Sequence, residues 1–208
     1  MKFKTTQENF WANEFGDYYL ERNKVEDLLP SKINLFSDIF KNIPSTDSFL
    51  EFGPNIGINL LAIRKLLPNA RLKAVEINSK AINILKKSDV CEKIWHDSIL
   101  NFKEKDIVNF SFTVGVLIHI DPKYLDRAYK SLYLSSRKYI LVCEYYNPTP
   151  TTLLYRGHSN RLFKRDFAGD LLKKYPDLSL INYGFKYRKD KNFPLDDITW
   201  FLLKKNNS

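Results

Sequence analysis

The chain has 208 residues, 44% of them hydrophobic and 27% charged, with a formal net charge of +9. This balance fits one soluble globular domain and excludes a disordered chain or a membrane-spanning one, because no apolar run approaches the roughly 18 residues that a span needs. The positive surplus favours an anionic partner such as nucleic acid, a nucleotide-linked sugar or an acidic glycan, and it equally fits a lysine-rich genome without functional meaning. The opening stretch, "MKFKTTQENFW", has no apolar centre, so no signal peptide is expected. Cys91 and Cys143 stand apart in apolar, strand-like contexts, which points to a reducing compartment, the cytoplasm, and to no metal site.

In chain order, residues 1–45 read as a helical extension. Apolar residues from Val25 to Phe40 fall at helical spacing, and Pro30 marks a break or a first-turn position. "FLEF" then reads as a buried strand, "IGINLLAIRKLL" as a helix stopped by "PNA", and "RLKAVEI" as a strand. "NSKAINILKK" is a helix, "EKIWH" a strand, and "FSFTVGVLIHI" one long apolar strand ending at Ile120. Asp121 and Pro122 open the helix "DPKYLDRAYKSLYLS"; "KYILVCEYY" is a strand, "KRDFAGDLLKKY" a helix, and "LSLINYGFKYR" and "DDITWFLLKK" are the last strands. Alternating strands and helices predict an α/β, doubly wound, mostly parallel seven-stranded sheet. The short link "KDKNFPLDD" predicts that the last two strands pair antiparallel. The whole chain, 1–208, is expected to be a single domain, with residues 46–208 as its core.

Ligands of such sheets bind beyond the carboxyl ends of the strands. The first strand-to-helix turn, "EFGPNIG", holds Glu51, Gly53, Asn55 and Gly57, residues suited to tight backbone and close ligand approach. The next strand ends in Glu76, placed to accept hydrogen bonds from both hydroxyls of a ribose. A pyrophosphate would want G-x-G-x-x-G and amides; a carboxylate at Glu51 repels it and suits a ligand with an amino group and a sulfonium.

The pattern E-x-G-x-N-x-G followed by Glu76 resembles motif I of the class I S-adenosylmethionine-dependent methyltransferases. The resemblance implies a Rossmann-like core with S-adenosyl-L-methionine as cofactor. Glu51, Gly53, Asn55 and Gly57 would form its loop, Glu76 would hold its ribose and Asp97 of "WHDSIL" would meet its adenine amino group. "VGVLIHI", starting with Gly115, would lie beside the methyl group. Asp97 has an ordinary reading too, as a cap. More narrowly, "GVLIHIDPKYLDRAYKSLY", "RKYILVCEYYNPTPTTLLYRGHSNRLFKRDFAGDLL" and "FWANEFGDYYLERN" are similar to the methylases associated with pseudaminic acid biosynthesis, over nearly the whole chain. That resemblance implies a small-molecule or glycan-linked acceptor.

On the acceptor side, His119 ends the fourth strand where the methyl group would point, and its ordinary pKa near 6.5 suits a base. The competing reading is a histidine that only supports the turn. Glu144, Tyr145, Tyr146 and Asn147 lie at the carboxyl edge of the fifth strand. In "YRGHSNRLFKRDF", Arg156, His158 and Arg161 are candidates to bind a carboxylate or phosphate, against a plain solvated basic loop. Trp11, Phe15, Tyr18 and Tyr19 make an aromatic N-terminal piece suited to cover the cofactor or to pack on the sheet.

The expected function is methyl transfer to a sugar, a nonulosonic acid or its nucleotide or glycan conjugate in surface-glycan biosynthesis. Two alternatives stand beside it: methylation of RNA or DNA, and a non-catalytic, methyltransferase-like binding scaffold. The oligomeric state is not legible.

Overall fold

Five buried residues in a row, Ser48–Phe52, form the first strand, β1, and put it at the centre of the sheet. A strand buried on both faces needs no polar alternation, which is why "SFLEF" is apolar apart from Ser48 and Glu51. The structure is a computed structural model that describes residues 3–41, 43, 44, 46–103 and 107–206. β2 (Arg71–Glu76), β3 (Lys93–His96), β4 (Val108–Val114) and β5 (Ser136–Glu144) run parallel to β1, while β9 (Ile198–Lys205) joins β5 antiparallel and β8 (Leu178–Lys186) joins β9 antiparallel. The order is β3-β2-β1-β4-β5-β9-β8, so strand order reverses between β1 and β4. This is the expected seven-stranded sheet with its antiparallel C-terminal pair.

Both faces are covered. α3 (Val25–Phe40) and α4 (Ile58–Leu66) lie on one, where Leu35, Phe36, Ile39, Leu60 and Ile63 pack against Phe49, Phe110 and Phe112. α6 (Leu125–Ser135) and α7 (Phe167–Lys174) lie on the other, over Leu50, Phe52, Ile140 and Val142. Rings on the first face meet at tilted or edge-on angles, as in Phe36–Phe112 with centroids 5.6 Å apart. Each buried side chain of this size contributes about 1.5–3 kcal/mol of transfer free energy. α5 (Ser79–Ser88) packs beside β2 and β3, capped by the Asn78 side chain, which accepts from Ala81 N.

The N-terminal extension is three helices: α1 (Thr6–Ala12), α2 (Glu14–Leu20) and α3. The break at Asn13, where the backbone leaves the helical region, has no proline or glycine to announce it. Pro30 neither breaks α3 nor sits in its first turn; it lies inside the helix, where it gives up one backbone hydrogen bond. The expected helix also runs over residue 42, and the expected boundary at 45/46 falls on residue 45; both lie outside the described residues.

Three further readings are corrected. The fourth strand stops at Val114 instead of running to Ile120. Gly115 turns the chain at φ +68°, and Leu117–His119 form a 3₁₀ turn. The basic stretch after Tyr155 is not a loop but half of a hairpin, β6 (Thr151–Tyr155) with β7 (His158–Lys164). Cys91 lies in the turn before β3, and only Cys143 is in a strand. Among the described residues no helix is long and apolar enough to cross a membrane.

Candidate functional site

The carboxyl ends of β1, β2, β3 and β4 open into a cavity of about 750 Å³, inside the roughly 300–1,000 Å³ range of ligand sites. Its floor is the turn Gly53–Ile56. Gly53 and Asn55 adopt left-handed φ values of +70° and +56°, so the first position calls for glycine and the second tolerates asparagine. Gly53 N donates to Val75 O at 2.8 Å, tying the turn to β2. A Cβ on Gly53 would lie 2.7 Å from Val116 Cγ2 of the segment after β4. Thus Gly53 lets two ligand-side segments close on each other. Gly57 also has a positive φ, but a Cβ there would meet Leu85 of α5 at 2.6 Å. Gly57 does not line the cavity; its glycine serves helix packing, not ligand approach.

Glu51 is displaced from its expected place as well. It does not line the cavity but sits fully buried behind the turn, where Asn59 Nδ2 donates to its Oε1 at 2.6 Å. Burial pushes its carboxyl up to about 8, with Asn59 and Lys32 pulling the other way and Glu76 adding to the rise. At neutral pH Glu51 is therefore a neutral acid, and it presents no charge to a sulfonium. Its Oε2 and Asn59 Oδ1 are buried without partners; each unpaired buried atom costs about 1–3 kcal/mol.

Glu76 does line the cavity. Its Oε2 accepts from Asn55 N at 2.9 Å, and its Oε1 from Ile77 N at 2.7 Å and Asn78 N at 2.8 Å. Burial pushes the carboxyl up against the pull of these amides. A carboxylate offers about four acceptor sites, so three amides leave one, on Oε2, for a ligand hydroxyl. Asp97 lies half-buried on the next wall and holds the turn after β3 by accepting from Ser98 N at 2.7 Å. Gly115 lines the cavity too, and a Cβ built on it meets nothing within 4 Å. The backbone here is bare and faces open space.

Opposite stands an aromatic wall. The His119 ring lies 4.5 Å from Trp11 and 4.7 Å from Tyr155, centroid to centroid, and Trp11 lies 5.2 Å from Tyr19. His119 Nδ1 is 2.6 Å from Arg161 O. A carbonyl can only accept, so Nδ1 carries the proton and Nε2 is the ring's acceptor. Burial lowers the pKa to about 4, against the small rise from that carbonyl, so the ring is neutral at pH 7. The turn that carries His119 is held from beneath by Glu144. Its Oε1 accepts from Val116 N and Leu117 N, each at 3.1 Å, and its Oε2 from Ile118 N at 3.4 Å. Burial pushes this carboxyl up to about 7. Glu144 is therefore a support of the turn and not a surface residue awaiting an acceptor.

The expected acceptor residues separate. Tyr145 and Arg156 line the cavity, Arg156 at the tip of the β6–β7 hairpin. Asn147, His158 and Arg161 do not. Asn147 Nδ2 donates to Thr151 Oγ1 at 2.7 Å, bracing the hairpin base. His158 stands edge-on to Phe10 and Phe15. The Arg161 guanidinium rests 4.9 Å from the Phe10 ring centre and donates to Thr6 Oγ1, outside the cavity. These residues fasten α1 and α2 to the hairpin, with help from Gln7 Nε2, which donates to Asn160 O at 3.1 Å. The aromatic N-terminal piece divides: Trp11 and Tyr19 line the cavity, Phe10 and Phe15 stack on each other at 4.0 Å and pack against the hairpin instead of the sheet, and Tyr18 is exposed. Residues never singled out in the sequence also reach the cavity: Glu8, Asn59, Arg188 and Asp196, with Arg22 from "FWANEFGDYYLERN". Among the described residues no cluster of three metal-ligating side chains occurs.

Searched against protein-family models and against curated proteins, the chain finds no match. Solved structures do resemble it. It superposes on a Burkholderia thailandensis 1,6-didemethyltoxoflavin-N1-methyltransferase, crystallised with 1,6-didemethyltoxoflavin and S-adenosylhomocysteine, with TM-score 0.71, 12% identity, and coverage of 100% of this chain and 93% of that one. The fold is that of S-adenosylmethionine-dependent methyltransferases. The plantazolicin methyltransferase BpumL in complex with S-adenosylhomocysteine gives TM-score 0.66 at 14% identity, over 97% of this chain and 94% of that chain. An S-adenosylmethionine-dependent methyltransferase from Clostridium acetobutylicum gives 0.63 at 10% identity, over 86% and 92%.

Proposed function

We propose that this protein is an S-adenosylmethionine-dependent methyltransferase whose acceptor is a small anionic sugar acid, a nonulosonic acid or its conjugate. One observation carries the reading. The cavity of a methyltransferase fold opens where strand order reverses, with the Glu76 acceptor site and Asp97 on one side and the His119–Trp11–Tyr155 wall on the other. Bare backbone at Gly115 and the left-handed turn Gly53–Ile56 fit a cofactor pressed against main chain. Glu76 would take a ribose hydroxyl on its free acceptor site, and Asp97 the adenine amino group. Bound there, the cofactor supplies an activated methyl group, and the protein's part is mainly to hold acceptor and methyl in line. Neutral His119 would receive the acceptor's proton-bearing group at Nε2. Arg156, joined by Arg22 and Arg188, supplies the cations on the cavity wall.

The solved neighbours include enzymes named for 1,6-didemethyltoxoflavin, plantazolicin and a glycopeptide, none of them for nucleic acid, which supports a small acceptor. The narrower likeness to methylases of pseudaminic acid biosynthesis supports a nonulosonic acid. The test is transfer of labelled methyl groups from S-adenosylmethionine to extracts of cells with and without nonulosonic acid synthesis. Label that appears only with that synthesis is expected; equal labelling of both extracts, or of nucleic acid, rejects the sugar-acid acceptor.

A further inference from the structure

Helix α1 lines the cavity with two polar side chains and leaves each with a buried atom that has no partner. Glu8 lines the cavity and is only 7% exposed. Its Oε2 is occupied, accepting from Lys4 N at 2.6 Å and Thr5 N at 2.9 Å in a capping box. Its Oε1 is shut off from solvent without any partner, and the Nε1 of Trp11, one helical turn on, is in the same condition. The capping box uses only Glu8 Oε2 and no bond uses Trp11 Nε1, so covering the cavity does not account for these two buried polar atoms. Trp11 also lies against His119, whose Nε2 can only accept.

We infer that Glu8 and Trp11 are acceptor-recognition residues and that the acceptor they read is polyhydroxylated, with one hydroxyl donating to Glu8 Oε1 and an oxygen of a second taking the Trp11 Nε1 proton. A flat hydrocarbon or heteroaromatic acceptor without hydroxyls would leave both atoms as they stand. Vicinal hydroxyls satisfy a carboxylate and an indole together, because each hydroxyl both donates and accepts. The ligand reaches them through the seam between α1 and the hairpin. That seam is closed by two polar contacts, Gln7 to Asn160 and Arg161 to Thr6, and by edge-on ring contacts of Phe10 and Phe15 with His158. This deepens the methyltransferase reading and rests on it for the word acceptor.

The discriminating variants are Glu8→Gln and Trp11→Phe. Glutamine can keep the capping bonds through its oxygen while its NH₂ faces the cavity, which turns an acceptor into a donor at the same place. Phenylalanine keeps an aromatic wall and removes only the N–H and one ring. The probes are N-acetylneuraminic acid, a nonulosonic acid rich in hydroxyls, and benzoate, a carboxylate with none. Binding is measured by calorimetry with and without S-adenosylhomocysteine, beside the melting temperature of the free protein. The expected result is that N-acetylneuraminic acid binds more tightly than benzoate, and that each variant weakens it tenfold or more. S-adenosylhomocysteine affinity stays within twofold and the unliganded melting temperature within about 2 °C. A tenfold loss of S-adenosylhomocysteine affinity in the variants would assign these residues to the cofactor and overturn the inference. So would N-acetylneuraminic acid affinity unchanged in both variants, or no better than that of benzoate in the wild type. A wild-type chain that fails to bind S-adenosylhomocysteine sinks the methyltransferase reading alone, because the sugar-acid arm run without it still decides this one.

Discussion

A carboxyl buried behind the glycine turn, with one oxygen unpartnered, keeps its proton. Glu51 has a folded pKa near 8 against an ordinary 4.5, so between these values the folded state holds a proton that the unfolded state has lost. Stability from this group is greatest below about pH 4.5 and falls as pH rises toward 8. Glutamine mimics the protonated acid. Glu51→Gln should therefore raise the melting temperature at pH 8, match the wild type near pH 5, and flatten the slope between; equal slopes in thermal melts across that range would contradict the burial argument. Glu76 behaves differently: its oxygens accept from three amides, it lines the cavity, and the proposed cofactor would use its remaining acceptor site. Glu76→Ala should weaken S-adenosylhomocysteine by about 1–3 kcal/mol, the scale of hydrogen bonds to a charged group, as measured by calorimetry. His119 should stay a neutral ring, protonated at Nδ1, down to about pH 5, and ¹⁵N chemical shifts of the imidazole read this directly; a midpoint near 6.5 would place the ring in water.

The hairpin tip shows how an element can be bent to a purpose. Arg156 and Gly157 both take positive φ, 52° and 83°, in a two-residue turn between the paired residues Tyr155 and His158. This is a type I′ turn, in which asparagine or glycine is favoured at the first place. Arginine there carries backbone strain and yet lines the cavity. Arg156→Gly should stabilise the fold, since a residue with a Cβ costs about 1–2 kcal/mol in the left-handed region and glycine gives back only part of that in entropy, while lowering methyl transfer, as seen by denaturant titration beside turnover with a sugar acid; a variant that loses stability would show the side chain to be structural. The same hairpin shows where sequence reading stops. "RGHSNRLFKR" carries basic side chains in every orientation, so no alternation marks it as a strand, and the pairing that makes it one is with "TTLLY". The fourth strand was overread for the opposite reason. "VGVLIHI" is apolar but for His119, and the left-handed Gly115 and the distant Glu144, which takes the amides of the next turn, end the strand at Val114.

For the whole molecule, the alternation of strands and helices and the short last connection made the sheet legible, because each is a local pattern. The cavity floor was legible for the same reason: Gly53, Asn55 and Glu76 lie at strand ends whose position follows from the order of elements. Its far wall was not. Glu8 and Asp196 arrive from a helix and a loop with no motif, and Glu51 and Gly57 looked like ligand groups until packing against α4 and α5 claimed them. A ligand that bridges floor and wall should tie these distant pieces together. At a hundred times its dissociation constant, S-adenosylhomocysteine adds about 2.7 kcal/mol, so the melting temperature should rise by roughly 5–10 °C. No shift at millimolar concentration would reject the cavity as a cofactor site.

The clasp between α1 and the hairpin joins residues 153 positions apart, Gln7 and Asn160. A ribosome adding roughly 5–20 residues per second reaches the second partner about 8–30 seconds after the first. Over that interval Phe10, Trp11 and Phe15 have been made and their partners Tyr155 and His158 have not. Phe10, Trp11 and Phe15 are therefore synthesised well before the hairpin residues that shelter them. Refolding should show the same lag: far-ultraviolet ellipticity returning before the fluorescence of Trp11, with Trp95 and Trp200 replaced by phenylalanine so that Trp11 reports alone. Coincident recovery of the two signals would mean that the clasp closes together with the sheet.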